Sequence, residues 1–196
     1  ELGVNHVHIL PSYDYASVDE SKLESNQYNW GYDPVNYNVP DGSYSTDPYN
    51  PSVRIKEFKQ MVQALHKAGI RVVLDVVYNH TTGAHPWARL YWNGSDNLSS
   101  NNPWYNVVTP HGFGVYQDLN HANEMVKEHI NRSLEYMIEE YHVDGFRFDL
   151  TKGFTNNSGK DSAYDQSRVD YLTGYYNTIK AADPNAVMIL EHFVAD

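Results

Sequence analysis

Cysteine is absent from the 196 residues, which excludes disulfides and thiolate metal sites and leaves the compartment open among secreted, periplasmic and cytoplasmic. No apolar run approaches the roughly 20 residues needed to span a bilayer. Residues 1–10 lack a basic start and a sustained apolar core, so no secretory signal is read there. Positive charge is scarce: 14 Lys and Arg stand against 25 Asp and Glu, a formal charge of −11. Neither a nucleic-acid backbone nor an anionic membrane is therefore the expected partner, and a neutral substrate fits better. Internal repeats, low-complexity tracts and a Gly-rich phosphate loop are missing as well, which weighs against a doubly wound cofactor-binding domain.

What is present is ordinary for a globular domain in bulk, with 41% hydrophobic and 20% charged residues, but unusual in its 17 tyrosines. Several fall in polar, loop-like stretches. An aromatic face with a polar handle suits sugar recognition there, and loop packing is the plainer alternative. Four short apolar strand candidates recur at about 4–10, 70–77, 143–149 and 186–191, and their composition suits strands buried on both faces. Helical patterns separate them. Ser52 is read as the cap of a helix carrying Ile55, Phe58, Val62 and Leu65 on one face and ended by Ala68-Gly69. A second helix over 123–141 spaces Val126, Ile130, Leu134, Met137 and Tyr141 by threes and fours. A third over 164–182 stops at Asp183-Pro184.

Strict strand–helix alternation predicts a parallel sheet with right-handed crossovers, as a β/α barrel or a doubly wound sheet. Two connections, 11–51 and 78–122, are far longer than usual and leave the carboxyl ends of strands. In both architectures that end carries the active site. The chain opens directly into a strand at Leu2 to Pro11, so an upstream portion is expected.

The chemistry-bearing residues cluster at those strand ends. Asp75, in Asp75-Val76-Val77-Tyr78-Asn79-His80, is a carboxylate inside an apolar strand and requires a partner. The plain reading is an ion pair with Arg147 that holds the sheet together. Asn79 and His80 add neutral hydrogen-bonding groups at the same rim. Arg147 and Asp149 are two apart on one strand and share a face, so a fixed cation is expected to depress the Asp149 pKa and keep it ionised. Glu191, in Ile189-Leu190-Glu191-His192, ends the next strand among apolar neighbours, which are expected to raise its pKa towards that of a general acid. Two carboxylates on one rim about 5–5.5 Å apart suit a retaining glycosidase.

These strand ends resemble the first three conserved regions of glycoside hydrolase family 13, the α-amylase family. The resemblance implies a partial (β/α)8 barrel, about strands two to five, with a long excursion after the third strand. Residues 1–77 and 123–196 are then two parts of the catalytic barrel, and 78–122 a protruding small domain or long loop. It implies Asp149 as nucleophile, Glu191 as general acid/base and Arg147 as the group positioning the nucleophile. Tyr32, Asp75, His80, Lys152 and His192 are implied at the substrate, with His80 hydrogen-bonding the sugar. Tyr28 to Tyr37 looks like a stretch found in type I pullulanases, where Tyr32 would stack on the same glucose. Gln117-Asp118-Leu119-Asn120 is similar to a short motif near the end of the excursion.

Two departures stand out. Gly153 follows Lys152 where many members carry a histidine that helps bind a structural calcium, so Asn79 and Asp118 are the candidate calcium ligands; no cofactor is otherwise required. The family's fourth region, a His-Asp pair, would lie beyond Asp196. The expected function is a retaining hydrolase of α-glucans such as starch, glycogen or pullulan-like polymers. A glucan transferase or branching enzyme and a non-catalytic glucan-binding fragment are the alternatives. His6 and His8 share a strand face without a third metal ligand, and core or supporting roles are expected for them. Asn-x-Ser/Thr triplets such as Asn93-Gly94-Ser95 are read as coincidental.

Overall fold

The computed structural model describes residues 2–94 and 97–194; Ser95 of the triplet above lies outside them. In chain order the elements are β1 (His6–Ile9), β2 (Tyr13–Tyr15), β3 (Pro34–Pro40), α1 (Pro51–Lys67), β4 (Arg71–Val76) and β5 (His80–Thr81). They continue with α2 (Pro86–Leu90), β6 (Gln117–Asp118), α3 (Glu124–Tyr141), β7 (Gly145–Phe148), α4 (Gln166–Ala182) and β8 (Val187–Leu190).

Four of the strands form one sheet in the order β1-β4-β7-β8, and every pairing is parallel. With helices crossing between successive strands, this is an arc of a β/α barrel. The register sets Asp75 opposite Arg147 and Phe148 opposite Leu190, so Asp149 and Glu191 emerge side by side at the carboxyl edge. Burial on both faces holds for β4 and β7. It does not hold for β8, where Ile189 and Leu190 stay 47% and 43% exposed, because an edge strand has a neighbour on one side only. Gly145 has a φ of 156°, and a Cβ there would overlap the carbonyl oxygen of Val187. The close approach of β7 to β8 therefore requires glycine.

Helix α1 begins earlier than Ser52: Asn50 is its cap, accepting from the Ser52 amide, and Pro51 fills the first turn. An Asn-Pro start satisfies one orphan donor and supplies a residue that has none to satisfy. Helix α3 buries Val126, Ile130, Leu134, Met137 and Tyr141, each worth about 1.5–3 kcal/mol of transfer free energy. It meets α1 where the rings of Phe58 and Tyr141 pack edge to face at 5.5 Å. Among the described residues no helix is long and apolar enough to cross a membrane.

The long connections are not structureless. The first contains the antiparallel pair β2–β3, whose Tyr13 and Tyr37 rings lie 6.2 Å apart, Tyr37 in turn 5.2 Å from Tyr78. The Tyr37 hydroxyl donates to the carbonyls of Val77 (2.8 Å) and His80 (3.1 Å), so these tyrosines pack loops and pin the chain leaving β4. The second excursion returns to its root: β5 pairs with β6, setting His80 opposite Asp118.

Candidate active site

A single guanidinium organises the carboxyl edge. Arg147 Nη1 donates to Asp75 Oδ1 (2.8 Å), Asp75 Oδ2 (3.0 Å) and Asp149 Oδ1 (3.1 Å), while Nη2 lies 2.8 Å from Glu191 Oε1. Asp75 also accepts from the Tyr32 hydroxyl at 2.8 Å and meets His8 Nε2 at 3.0 Å. The second Glu191 oxygen accepts from the Leu150 amide at 3.0 Å. Leu150 presents that amide from a left-handed conformation, φ 50°, an uncommon geometry for a residue other than glycine. These groups open onto a cleft of about 560 Å³ lined by Tyr32, His80, Arg147, Asp149 and Glu191 with Leu10, Trp30, Val115 and Leu150.

The electrostatics differ from the expectation for Asp149. Burial first, and then the neighbouring Glu191 charge, push its carboxyl well above the ordinary range, and Arg147 only partly offsets them. The reason is that one guanidinium is divided among three carboxylates. Asp149 therefore keeps its proton to a higher pH than an isolated Asp does. Burial would lower Arg147, but the bonds to Asp75 and the Glu191 charge hold it above its usual value. Burial also pushes the Tyr32 phenol up.

Asp75 does not fit the substrate-contacting role given it from sequence. It is 2% exposed and both its oxygens are taken, which makes it the internal brace of Arg147 and Tyr32. His80 lines the cleft, but its Nε2 donates to the Tyr32 carbonyl at 2.8 Å and its Nδ1 accepts from Asn79 Nδ2 at 3.0 Å. Burial lowers its pKa to about 4. Both nitrogens are thus engaged within the chain, and a direct bond to sugar requires one of them to change partner. Lys152 lies between two aromatic faces, its Nζ 4.9 Å from the Phe113 ring centre and 5.3 Å from that of Phe193. His192 Nδ1 meets the Thr151 hydroxyl at 3.3 Å.

The two calcium candidates differ in what holds their side chains. Asp118 Oδ1 meets His111 Nε2 at 2.9 Å and Oδ2 accepts from Asn106 at 2.8 Å, so the carboxylate is already committed. Asn79 Oδ1 is buried without a hydrogen-bond partner among the described residues. Elsewhere Asp14, Glu20 and Asp41 draw their oxygens together, but Arg54 sits 3.9 Å from Asp14 and 3.3 Å from Glu20 and supplies the positive charge.

Sequence reasoning did not single out Leu10, Val115 and Leu150 as cleft walls, or His8 as the partner of Asp75. The apolar residues carry no chemical signature, and Val115 arrives from a loop whose path no periodicity predicts. His8 lay within reach: it is the one polar side chain near the end of its strand on the face that Asp75 also occupies.

A parallel β/α arc with paired acids on its carboxyl rim defines a class, the β/α-barrel proteins that work on ligands above the strand ends. Residues 1–117 match the family model described as alpha amylase, catalytic domain, and the chain belongs to that family. It is 40% identical over 156 residues to a pullulanase of Bacillus subtilis, covering 76% of this chain and 20% of the relative. It is likewise 40% identical over 161 residues to isoamylase 3 of Oryza sativa, covering 76% and 20%. A solved pullulanase from Paenibacillus barengoltzii, in complex with maltohexaose and alpha-cyclodextrin, superposes with a TM-score of 0.76 at 36% identity, over 97% of this chain and 27% of that one. The chain thus spans about a fifth of the curated relatives cited.

Proposed function

We propose that this chain carries the nucleophile and the general acid/base of a retaining α-glucan hydrolase of the debranching type. The observation that carries the reading is the single Arg147 guanidinium holding Asp149 and Glu191 at 3.1 and 2.8 Å on adjacent strand ends. Asp149 attacks the anomeric carbon while Glu191 protonates the departing glycosidic oxygen. Glu191 then takes a proton from the water that releases the sugar from Asp149. This division needs Asp149 as the carboxylate and Glu191 as the carboxylic acid at the moment of attack.

The cleft supports a neutral sugar. Trp30 and Tyr32 offer ring faces to the apolar side of a pyranose, and Leu10, Val115 and Leu150 complete an uncharged wall. The relatives named above are a pullulanase and an isoamylase, which favours a branched or pullulan-like α-glucan as the substrate. In this reading the 78–122 excursion forms one side of the cleft through Val115. Asp75 and Tyr32 keep Arg147 in place, and His80 holds the Tyr32 backbone.

The test is Asp149→Asn in the protein that carries this chain. Release of reducing sugar from pullulan is expected to fall by several orders of magnitude with the circular dichroism and glucan binding preserved, since no other carboxylate occupies the attacking position. Turnover near wild type overturns the assignment.

A further inference from the structure

The chain that follows Asp149 contains neither helix nor strand from 154 to 165, yet side chains at the start of α4 hold it in place. Arg168 is 4% exposed and donates to the carbonyls of Lys152 (3.1 Å), Lys160 (2.7 Å) and Ala163 (2.8 Å). A planar guanidinium can serve several carbonyls at once, and a buried one requires such partners. Asp165, the cap of the same helix, accepts from the Asn157 side chain at 3.1 Å and from the Thr155 hydroxyl. These bonds draw the loop onto α4 from 152 to 163.

The 78–122 excursion leans on that loop in turn. The Gly159 amide donates to the Pro110 carbonyl at 3.2 Å. Asn156 accepts from Asn106 Nδ2 at 3.1 Å and donates to Asn120 Oδ1 at 2.5 Å, and Lys152 Nζ lies 4.9 Å from the Phe113 ring centre. Val115, two residues past Phe113, lines the cleft. The reacting carboxylates are spaced by other means: the amides of Asp149 and Glu191 bond to the Val76 and Phe148 carbonyls at the sheet edge, and Arg147 holds both side chains.

We propose that Arg168 is a positioning residue for the excursion side of the cleft: it fixes the 152–163 loop, the loop fixes segment 106–120, and that segment sets the place of Val115 against the glucan. The consequence is a division between binding and chemistry. Loss of the Arg168 bonds lets the wall move while the strand ends keep Asp149, Glu191 and Arg147 in register, so substrate and transition state are weakened alike. The effect on turnover rests on the glucan reading of the cleft.

Arg168→Lys in the protein that carries this chain keeps the charge and loses the planar fork. KM for pullulan is expected to rise about fivefold, the scale of one lost hydrogen bond, with kcat within about twofold of wild type. An unchanged KM, or a kcat that falls by as large a factor as KM rises, overturns the proposal. Asn156→Ala cuts the same route where the loop meets the excursion. It is expected to raise KM by a similar factor, and the double variant to raise it no further than the larger single effect; effects that multiply overturn the shared route. Hydrogen exchange needs no substrate and so separates this inference from the glucan reading. In either variant the Gly159 amide is expected to gain rate by a larger factor than the amides of Asp149 and Glu191, and an equal factor or no gain overturns the proposal. Should Arg168→Lys not fold, Asn156→Ala decides on both measurements.

Discussion

Asp75 illustrates how a residue with no access to substrate sets the properties of those that have it. Its two oxygens take hydrogen bonds from Arg147, Tyr32 and His8, so its charge keeps the guanidinium turned towards Asp149 and Glu191. Asp75→Asn retains the shape and removes the charge. It is expected to destabilise the fold by about 3 kcal/mol, the scale for breaking a buried ion pair, and to lower kcat more than it raises KM, because Asp75 is buried and acts on the two carboxylates through Arg147. Urea unfolding and steady-state kinetics on the same variant check both. His121 carries one share of the pH dependence, beside His80 and His85, which burial also lowers to about 4. It is fully buried between the Tyr78 carbonyl and the Tyr175 hydroxyl, at 2.8 Å from each, and its pKa falls from 6.5 to about 4 by burial. Between those values the unfolded chain binds the extra proton. The His121 contribution to stability is therefore full above pH 6.5 and declines as pH falls to 4, by on the order of 3 kcal/mol. His121→Gln, which keeps a donor and an acceptor, is expected to remove the His121 share of the pH dependence of unfolding in that window and to leave the shares of His80 and His85.

The elements themselves were largely legible from sequence because their signals are local. Helix α3 follows its three-and-four spacing, α1 ends at Ala68 with Gly69 at φ 75°, and β4, β7 and β8 sit within their apolar runs. What was not legible depends on partners distant in sequence. The β2–β3 pair lies in a Tyr- and Asn-rich stretch with register shifts, so no alternation marks it. The division of Arg147 among three acids is a property of three strand ends, and the expectation of a depressed Asp149 pKa followed from seeing only the neighbour two residues away. Even the cap of α1 turned on a competition between Asn50 and Ser52 that the following proline decides. One element-scale consequence is sharp. Gly145→Ala puts a methyl group onto the Val187 carbonyl, so β7 and β8 must separate. A loss of at least about 3 kcal/mol is expected, with the Glu191 arm of the site lost before the Asp75 arm. Differential scanning calorimetry and activity assays measure the two effects.

At the scale of the whole molecule, β1 and β8 each leave one hydrogen-bonding edge of the parallel sheet without a strand partner among the described residues, and Val4, Leu10, Ile189 and Leu190 are exposed beside those edges. Residues 1–196 expressed alone are expected to self-associate and to hydrolyse neither starch nor pullulan. A monomer by analytical ultracentrifugation with a sharp melting transition would contradict this. The same sheet has a property that separates it from sites built on loops. Each of its four strands, or the residue just past it, contributes a group to the charged node: His8, Asp75, Arg147 and Glu191. The node therefore works as a seam sewn across the strands, and it cannot open while the backbone pairing beneath it survives. Hydrogen exchange would register this as amides of Asp149 and Glu191, bonded to the carbonyls of Val76 and Phe148, that exchange only with the most protected class in the molecule. Under rising denaturant the loss of catalysis would then coincide with global unfolding instead of preceding it.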